Sequence, residues 1–471
     1  MTQPNALLRA SFWNSCSYLL ARVFGMAVQA WLSRAVAACP DRIALNTPDG
    51  DCSYAALWAR ASGGAAQLAE RGVGSGERVA VALPAGLDFA VALHACLLLG
   101  VVAVPVDLRM SEAERETIAA GCVARVQAPL ASAGGGASDA SYAIASEARH
   151  DLDATAVVIH TSGTSSAPKP IELTYGNLLW SALGSAVALG LDPNERWLCA
   201  LPLSHVGGLS ILVRSAIYAT TAVVHERFET ERVLHALRSE EVTLVSLVAT
   251  TLARLLDAGL ERPPTLRCAL TGGGPVPAAL VQRAAAAGVP VSMTYGLTES
   301  SSQVTTSPVA ALDSGERGAG PPLFCTRVRC AEDGEILVAG PTVAPGARAD
   351  DGWLHTGDLG AIDPRGVLSV TGRKADTIVS GGENVAPSEV EAVLEAHPGV
   401  LEAAVLGRPD EQWGEAVTAI VRAREGAALD ETSLRAHCAA ALAPYKVPKR
   451  VLLRTEPLPR TRSGKLLRRE L

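Results

Sequence analysis

His160 to Asn177 reads H-T-S-G-T-S-S-A-P-K-P-I-E-L-T-Y-G-N, and the fold turns on how this stretch is read. The run ahead of it, Ala156-Val157-Val158-Ile159, is apolar and β-branched, the pattern of a buried strand. Hydroxyl side chains at Thr161, Ser162, Thr164, Ser165 and Ser166 then crowd together with Gly163 and the cation Lys169. In such a turn backbone N–H groups and hydroxyls donate to phosphate oxygens, glycine lets the backbone approach, and lysine offsets charge. The spacing is not that of G-x-x-x-x-G-K-[ST], and no helix follows directly as a dinucleotide fingerprint requires. A kinase or Rossmann reading therefore fails. Alone, the stretch would pass for a Ser/Thr-rich surface loop; the segments that follow it in order decide against that.

Outward from this loop the chain alternates strand and helix. Trp31 to Cys39 and Tyr54 to Arg71 read as helices, and Val79 to Leu83 as a strand. Leu87 to Leu99 is a buried helix, Val101 to Val106 the next strand, and Ser111 caps a helix from Glu112. Such βαβ units imply parallel sheets. Gly72 to Gly76 lies between a helix and the next strand, the wrong order for a nucleotide loop, so it reads as a turn. Ala128 to Ala140, rich in Ala, Ser and Gly, reads as a flexible connection.

Composition narrows the classes. The 471 residues, 48% of them hydrophobic, suffice for about three folding units. A net charge of -7 provides no field for nucleic acid or an anionic membrane. The ten cysteines show no C-x-x-C pair and no metal-ligand spacing with histidine, which suits reduced thiols and a cytoplasmic setting. Cys16 to Leu32 is broken by Arg22 and Gln29 and lacks a signal-peptide cleavage site. Phe89 to Val106 is interrupted by His94 and Gly100, so no membrane insertion is expected.

Chemistry-bearing residues recur at strand ends. Leu201 to Gly208 places His205 beside two glycines where α/β folds put ligands. A lone histidine is more often a satisfied core residue. Arg214 is the one cation in an apolar helix, and snorkelling is its bland explanation. Thr271-Gly272-Gly273-Gly274-Pro275 follows a strand; the expectation is that the glycines clear side chains from beneath a planar ligand. Then come Thr294-Tyr295-Gly296-Leu297-Thr298-Glu299, Trp353-Leu354-His355-Thr356-Gly357-Asp358, Gly372-Arg373-Lys374-Ala375-Asp376, Ser380-Gly381-Gly382-Glu383-Asn384 and Pro459-Arg460-Thr461-Arg462-Ser463-Gly464-Lys465.

Taken in order, these segments resemble the adenylate-forming superfamily of acyl-CoA synthetases, peptide-synthetase adenylation domains and beetle luciferases, from about Ala27 to the C-terminus. The family's T-S-G-T-T-G-x-P-K-G is matched except at Ser166 and Pro170, which stand for glycines. Ser166 is less tolerant of positive φ, and Pro170 donates no N–H.

The resemblance implies ATP, Mg²⁺ and CoA as ligands and assigns roles. Thr161 to Ser165 and Lys169 hold phosphate. His205 lines the acyl pocket, Tyr295 lies against adenine with Gly296 also at the cofactor, and Thr298 binds the α-phosphate. Glu299 holds magnesium, Asp358 takes both ribose hydroxyls with Arg373 nearby, and Ser380 to Asn384 line the pantetheine tunnel. Lys465 is the catalytic cation.

The implied fold is α/β. A large domain, 27–373, has mixed, mostly parallel sheets flanked by helices; a hinge spans 374–376; a small mobile lid spans 377–471. Residues 1–26 form an extension of unassigned role.

Thr174-Tyr175-Gly176-Asn177, Leu201 to Ser210 and Arg214 to Tyr218 further resemble the 2-succinylbenzoate:CoA ligase branch of menaquinone synthesis. On that reading Arg214 meets the carboxylate that is not activated. Three alternatives stay open: a ligase for another aryl or alkyl acid, a luciferase-type oxidoreductase, and a non-catalytic nucleotide-binding relic. The partners implied are small molecules, with no nucleic acid; homo-oligomerisation is left open.

Overall fold

A computed structural model describes residues 26–130, 147–161, 168–309, 318–460 and 466–471. Outside the described residues fall Ser162 to Ser166, Lys465, most of the Ala128 to Ala140 connection and all but Met26 of the extension. The chain forms two compact units, the first comprising Met1–Leu183, Leu191–Arg227 and Ala344–Ala347, the second Gly184–Gly190, Phe228–Val343 and Arg348–Leu471.

In the first unit, strands Ala124–Val126, Arg78–Val81, Val102–Pro105 and Thr155–Thr161 lie side by side in parallel, with Lys169–Thr174 added antiparallel at the edge. A second group runs Arg196–Cys199, Thr221–Val224 and Ile43–Thr47 in parallel, then Gly50–Ser53 antiparallel. The helix Leu87–Leu99 is apolar on every face because it is buried on every face from Phe89 to Leu98. Gly100 ends it in the left-handed region at φ 72°, where glycine carries no Cβ penalty. Ser111 caps Glu112–Ala119 through a full capping box with Glu114, as its sequence predicts.

The second unit holds Leu244–Leu247, Cys268–Thr271 and Val291–Leu297 in parallel, with Ser302–Thr306 antiparallel beside the last. A four-stranded antiparallel sheet follows in the order Arg327–Cys330, Glu335–Ala339, Leu354–Ile362, Leu368–Arg373. The expected hinge is one 3-10 turn, Lys374–Asp376. Beyond it Val400–Asp410 and Gly414–Ala423 form a long antiparallel pair, extended by Ile378–Ser380, Glu383–Val385 and Arg450–Arg454. Their inner faces and the helices Pro387–Glu395 and Glu431–Ala441 share a core of Val390, Leu394, Val405, Val417, Val421 and Leu434. The structure is thus the mixed α/β fold the sequence implies. No helix among the described residues is long and apolar enough to cross a membrane.

Candidate active site

The strands on either side of the expected phosphate loop form an antiparallel pair, with Thr161 opposite Lys169 and His160 opposite Pro170. Pro170 therefore sits on an edge strand, where a missing N–H is tolerated. The Thr161 hydroxyl donates to the Lys169 carbonyl at 3.4 Å, and the Lys169 side chain is exposed.

His205 stands at the N-cap position of the helix Val206–Tyr218, without a side-chain capping bond, at the end of the loop that follows Arg196–Cys199. Gly208 is required there: a Cβ would lie 2.5 Å from the Pro202 carbonyl oxygen. His205 Nε2 is 4.0 Å from Asp107 Oδ2. Burial pushes the Asp107 carboxyl upward, but hydrogen bonds from Arg109 outweigh it and hold Asp107 below the usual carboxylate range. Arg109 Nε and Nη2 reach Asp107 at 2.8 and 2.6 Å, a two-pronged clamp.

Arg214 does not snorkel. It is 2% exposed in the middle of its helix. Nη2 donates to Ser181 Oγ at 3.1 Å, the guanidinium lies 5.6 Å from the Trp197 ring centroid, and Nε has no hydrogen-bond partner. Among the described residues no carboxylate pairs with it. Burial pulls its pKa down from the ordinary arginine value, partly countered by Tyr218.

In the second unit, Tyr295, Asp358 and Arg373 meet although 78 residues separate the first from the last. Tyr295 Oη donates to Asp358 Oδ2 at 2.8 Å, and Arg373 Nε lies 3.1 Å from Oδ1. The four-stranded sheet supplies the register, pairing Asp358 with Arg373 across neighbouring strands. Burial, then the neighbouring carboxylate, drives the Tyr295 phenol pKa upward, so it stays a donor. The irregular stretch of strand before Asp358, where Gly357 is left-handed, is fixed by Gly357 N–H on Glu335 Oε1 at 3.0 Å and by Thr356 Oγ1 on the Ile336 carbonyl at 2.7 Å.

The glycines of these segments have separate reasons. At Gly296 a Cβ would stand 1.7 Å from the Ser302 carbonyl oxygen, so the strand pair Val291–Leu297 and Ser302–Thr306 closes only over glycine. At Gly272 the obstacle is Thr294 backbone oxygen at 2.6 Å, so strand packing explains this glycine without a planar ligand. Gly273 is left-handed at φ 79°, and Gly274 faces open space. Thr298–Ser300 is a 3-10 turn followed by Ser301 and Ser302 at φ 58° and 99°, unusual for non-glycine residues. Ser301, fully buried, secures the turn by donating to the Thr342 carbonyl at 2.9 Å. Glu299 on that turn is half-buried and makes no hydrogen bond or ion pair with a described residue. Its carboxylate thus fits a hard oxygen ligand for Mg²⁺, which takes one or two carboxylates and fills its other positions with water and phosphate.

Ser380 to Glu383 forms a hairpin whose Gly381 and Gly382 are both left-handed. Gly381 packs against the Trp413 ring, 3.0 Å from where a Cβ would be, and Lys449 Nζ lies 4.4 Å from that ring's centroid. The Ser380 hydroxyl is buried without a hydrogen-bond partner among the described residues.

The AMP-binding enzyme family model matches residues 32–346, and the AMP-binding enzyme C-terminal domain model matches 389–465. The chain belongs to the AMP-binding enzyme family. Within this AMP-binding family it is 38% identical over 474 residues to the 2-succinylbenzoate--CoA ligase of Bacillus subtilis (strain 168), covering 94% of this chain and 97% of that one. Its structure is similar to that of o-succinylbenzoate CoA synthetase from Bacillus subtilis in complex with the acyl-adenylate intermediate OSB-AMP. The TM-score is 0.84 and the identity 36%, over 94% of this chain and 98% of the other. The same enzyme with ATP and magnesium ion superposes with a TM-score of 0.84 at 36% identity, over 95% and 100% of the two chains.

Asp107, Arg109, Trp413 and Lys449 have no place in the sequence motifs of this AMP-binding chain. Asp107-Leu108-Arg109 directly after the strand Val102–Pro105 was the one available signal, a charged pair at the end of a parallel strand where ligands gather.

Proposed function

We propose that this chain is an AMP-forming acid:CoA ligase whose acid is 2-succinylbenzoate. In the first half-reaction a substrate carboxylate oxygen attacks the α-phosphorus of ATP, the bond to the β-phosphate oxygen breaks, and pyrophosphate leaves. In the second, the CoA sulfur attacks the acyl carbonyl carbon and AMP leaves with the bonding pair. Asp358, held by Tyr295 and Arg373, has the carboxylate oxygens to accept ribose hydroxyls. Glu299 would hold magnesium, which when bound balances phosphate charge. Thr298, Lys169 and the hydroxyls of the phosphate loop donate to phosphate oxygens. Ser380 to Glu383 receives the pantetheine arm beneath Trp413.

The observation that carries the acid's identity is Arg214, a buried cation with no carboxylate paired to it among the described residues. Burying an unbalanced charge is expensive, so a site that keeps one favours a ligand of opposite sign. 2-Succinylbenzoate retains a second carboxylate after activation. The test compares it with 4-oxo-4-phenylbutanoate, the same skeleton without the ring carboxylate. The dicarboxylate should be favoured in kcat/KM by about thirtyfold or more, or roughly 2 kcal/mol. Equal use of the two acids contradicts the assignment.

Lys465 and the Ser380 to Glu383 hairpin both follow the hinge turn in the sequence yet would serve different half-reactions. We infer that the domain beyond Lys374–Asp376 rotates between two poses, which also shields the adenylate from water until the thiol arrives. Lys465→Ala should abolish pyrophosphate release while still converting a supplied acyl-adenylate to thioester; equal loss of both steps contradicts the two poses.

A further inference from the structure

The hinge turn is tied at both ends. Upstream, Lys374 Nζ donates to Asp333 Oδ2 at 2.6 Å and Glu335 Oε2 at 3.2 Å. Glu335 is the residue whose other oxygen holds Gly357 N–H, next to Asp358. Lys374 is thereby fixed to the sheet that carries the ribose-binding carboxylate.

Downstream, the last turn of the chain reaches back to the hinge. Arg468 divides its guanidinium between the hinge and the elements behind it. Nε donates to the Val405 carbonyl at 3.3 Å, Nη2 to Glu391 Oε1 at 2.5 Å, and Nη1 lies 3.5 Å from Asp376 Oδ2. Glu391 is itself held, accepting Val405 N–H at 2.8 Å. Helix Pro387–Glu395 and strand Val400–Asp410 both belong to the C-terminal sheet and its core. Arg468 therefore fastens Asp376 to the body of the small domain.

Between the two anchored side chains stands Ala375, exposed and without a side-chain tether. We propose that Arg468 and Lys374 are positioning residues that confine the hinge motion to the backbone of Ala375, Arg468 by holding Asp376 and Lys374 by holding Asp333 and Glu335. This deepens the two-pose reading above and rests on it. A pivot of one residue permits a large rotation while keeping both end states defined. Release of Asp376 would lengthen the pivot to include the Asp376–Thr377 link and blur both poses.

The test uses the full chain and the variants Asp376→Asn, Arg468→Ala, their combination, Arg468→Lys and Glu391→Gln. Limited trypsin digestion reports cleavage after Lys374 in substrate-free protein. ATP–pyrophosphate exchange in the presence of the acid reports one pose, and multiple-turnover CoA thioester formation reports the alternation. Loss of a half-exposed ion pair should speed cleavage about threefold to fivefold in Asp376→Asn, at least as much in Arg468→Ala, and less in Arg468→Lys. Thioester turnover should fall by about the same factor, with exchange within about twofold of the unmodified chain. The combined variant should be no worse than Arg468→Ala alone, because both changes break one contact. If cleavage is unchanged in Asp376→Asn, or responds only to Arg468→Ala and Glu391→Gln, Arg468 merely docks the tail and the proposal is overturned. Multiplying losses in the combined variant overturn it as well. Faster cleavage with exchange and turnover slowed equally leaves the anchor standing and sinks the two-pose reading instead.

Discussion

Replacing Arg214 with methionine should stabilise the substrate-free protein and cripple recognition of the dicarboxylate, two effects of opposite sign from one change. The side chain is 2% exposed, with one hydrogen bond to Ser181 and its Nε unpartnered. Methionine is of similar length, adapts to irregular space and brings no charge. Removing buried charge in favour of a packed apolar side chain is worth about 1–4 kcal/mol to the folded state. Against this stands the lost attraction to substrate. Two unit charges about 4 Å apart at an effective dielectric near 20 interact by about 4 kcal/mol. That sets an upper bound near a thousandfold in binding, and about thirtyfold survives if half of it is screened. Thermal unfolding with and without 2-succinylbenzoate, alongside KM for acid and for ATP, reads both terms. Arg214→Met should melt higher than the unmodified chain when free, gain little from the acid, and keep its KM for ATP. A lower melting temperature with an unchanged KM for the dicarboxylate would refute the reasoning, leaving Arg214 a purely structural cation.

Glu299→Gln should raise the magnesium needed for half-maximal pyrophosphate release by at least about tenfold, or roughly 1.4 kcal/mol for one lost ligand charge; a superposable magnesium titration counts against it. Gly296→Ala should destabilise by more than about 4 kcal/mol, because the obstructing atom is backbone oxygen that no rotamer change removes; an unchanged urea midpoint would show that the strand pair can open. Burial pulls the His94 pKa down to about 4 and, with some help from His94, that of His150 to about 3, and His150 Nε2 accepts the Trp31 N–H at 3.2 Å. Both folded values lie below the unfolded value near 6.5, so the unfolded chain binds more protons and stability falls as pH drops below about 6.5, by roughly 3–4 kcal/mol between pH 7 and 5 for the pair. A His94→Gln/His150→Gln variant with the same pH slope in urea unfolding would rule these two out as the cause.

Sequence alone reached furthest where a motif and a strand end coincide. Tyr295 is expected against adenine and Asp358 and Arg373 at the ribose; the structure joins the three side chains, with Asp358 and Arg373 brought together by the register of the four-stranded sheet. His205 stands where the loop after a parallel strand enters the next helix, and its place at an acyl pocket is implied by the resemblance alone. The partners were not legible. Asp107 and Arg109 lie 96 or more residues from His205, and Trp413 meets Gly381 only because two strand turns come together; neither pairing has a local sequence signature. Gly272 shows another limit: a glycine beside a ligand loop invites a ligand explanation, whereas Thr294 of the adjacent strand already excludes a side chain there. The strand Lys169–Thr174 was missed because Pro170 and the charges at Lys169 and Glu172 weaken its β pattern, as suits an edge strand.

The most direct test of the central claim is to incubate the full chain with 2-succinylbenzoate, ATP, magnesium and CoA and to measure products by mass and amount. The account predicts 2-succinylbenzoyl-CoA, AMP and pyrophosphate in equal amounts, with acyl-adenylate accumulating when CoA is withheld. ADP and phosphate in place of AMP and pyrophosphate, or no thioester while a monocarboxylic acid in the same assay is converted, would contradict it.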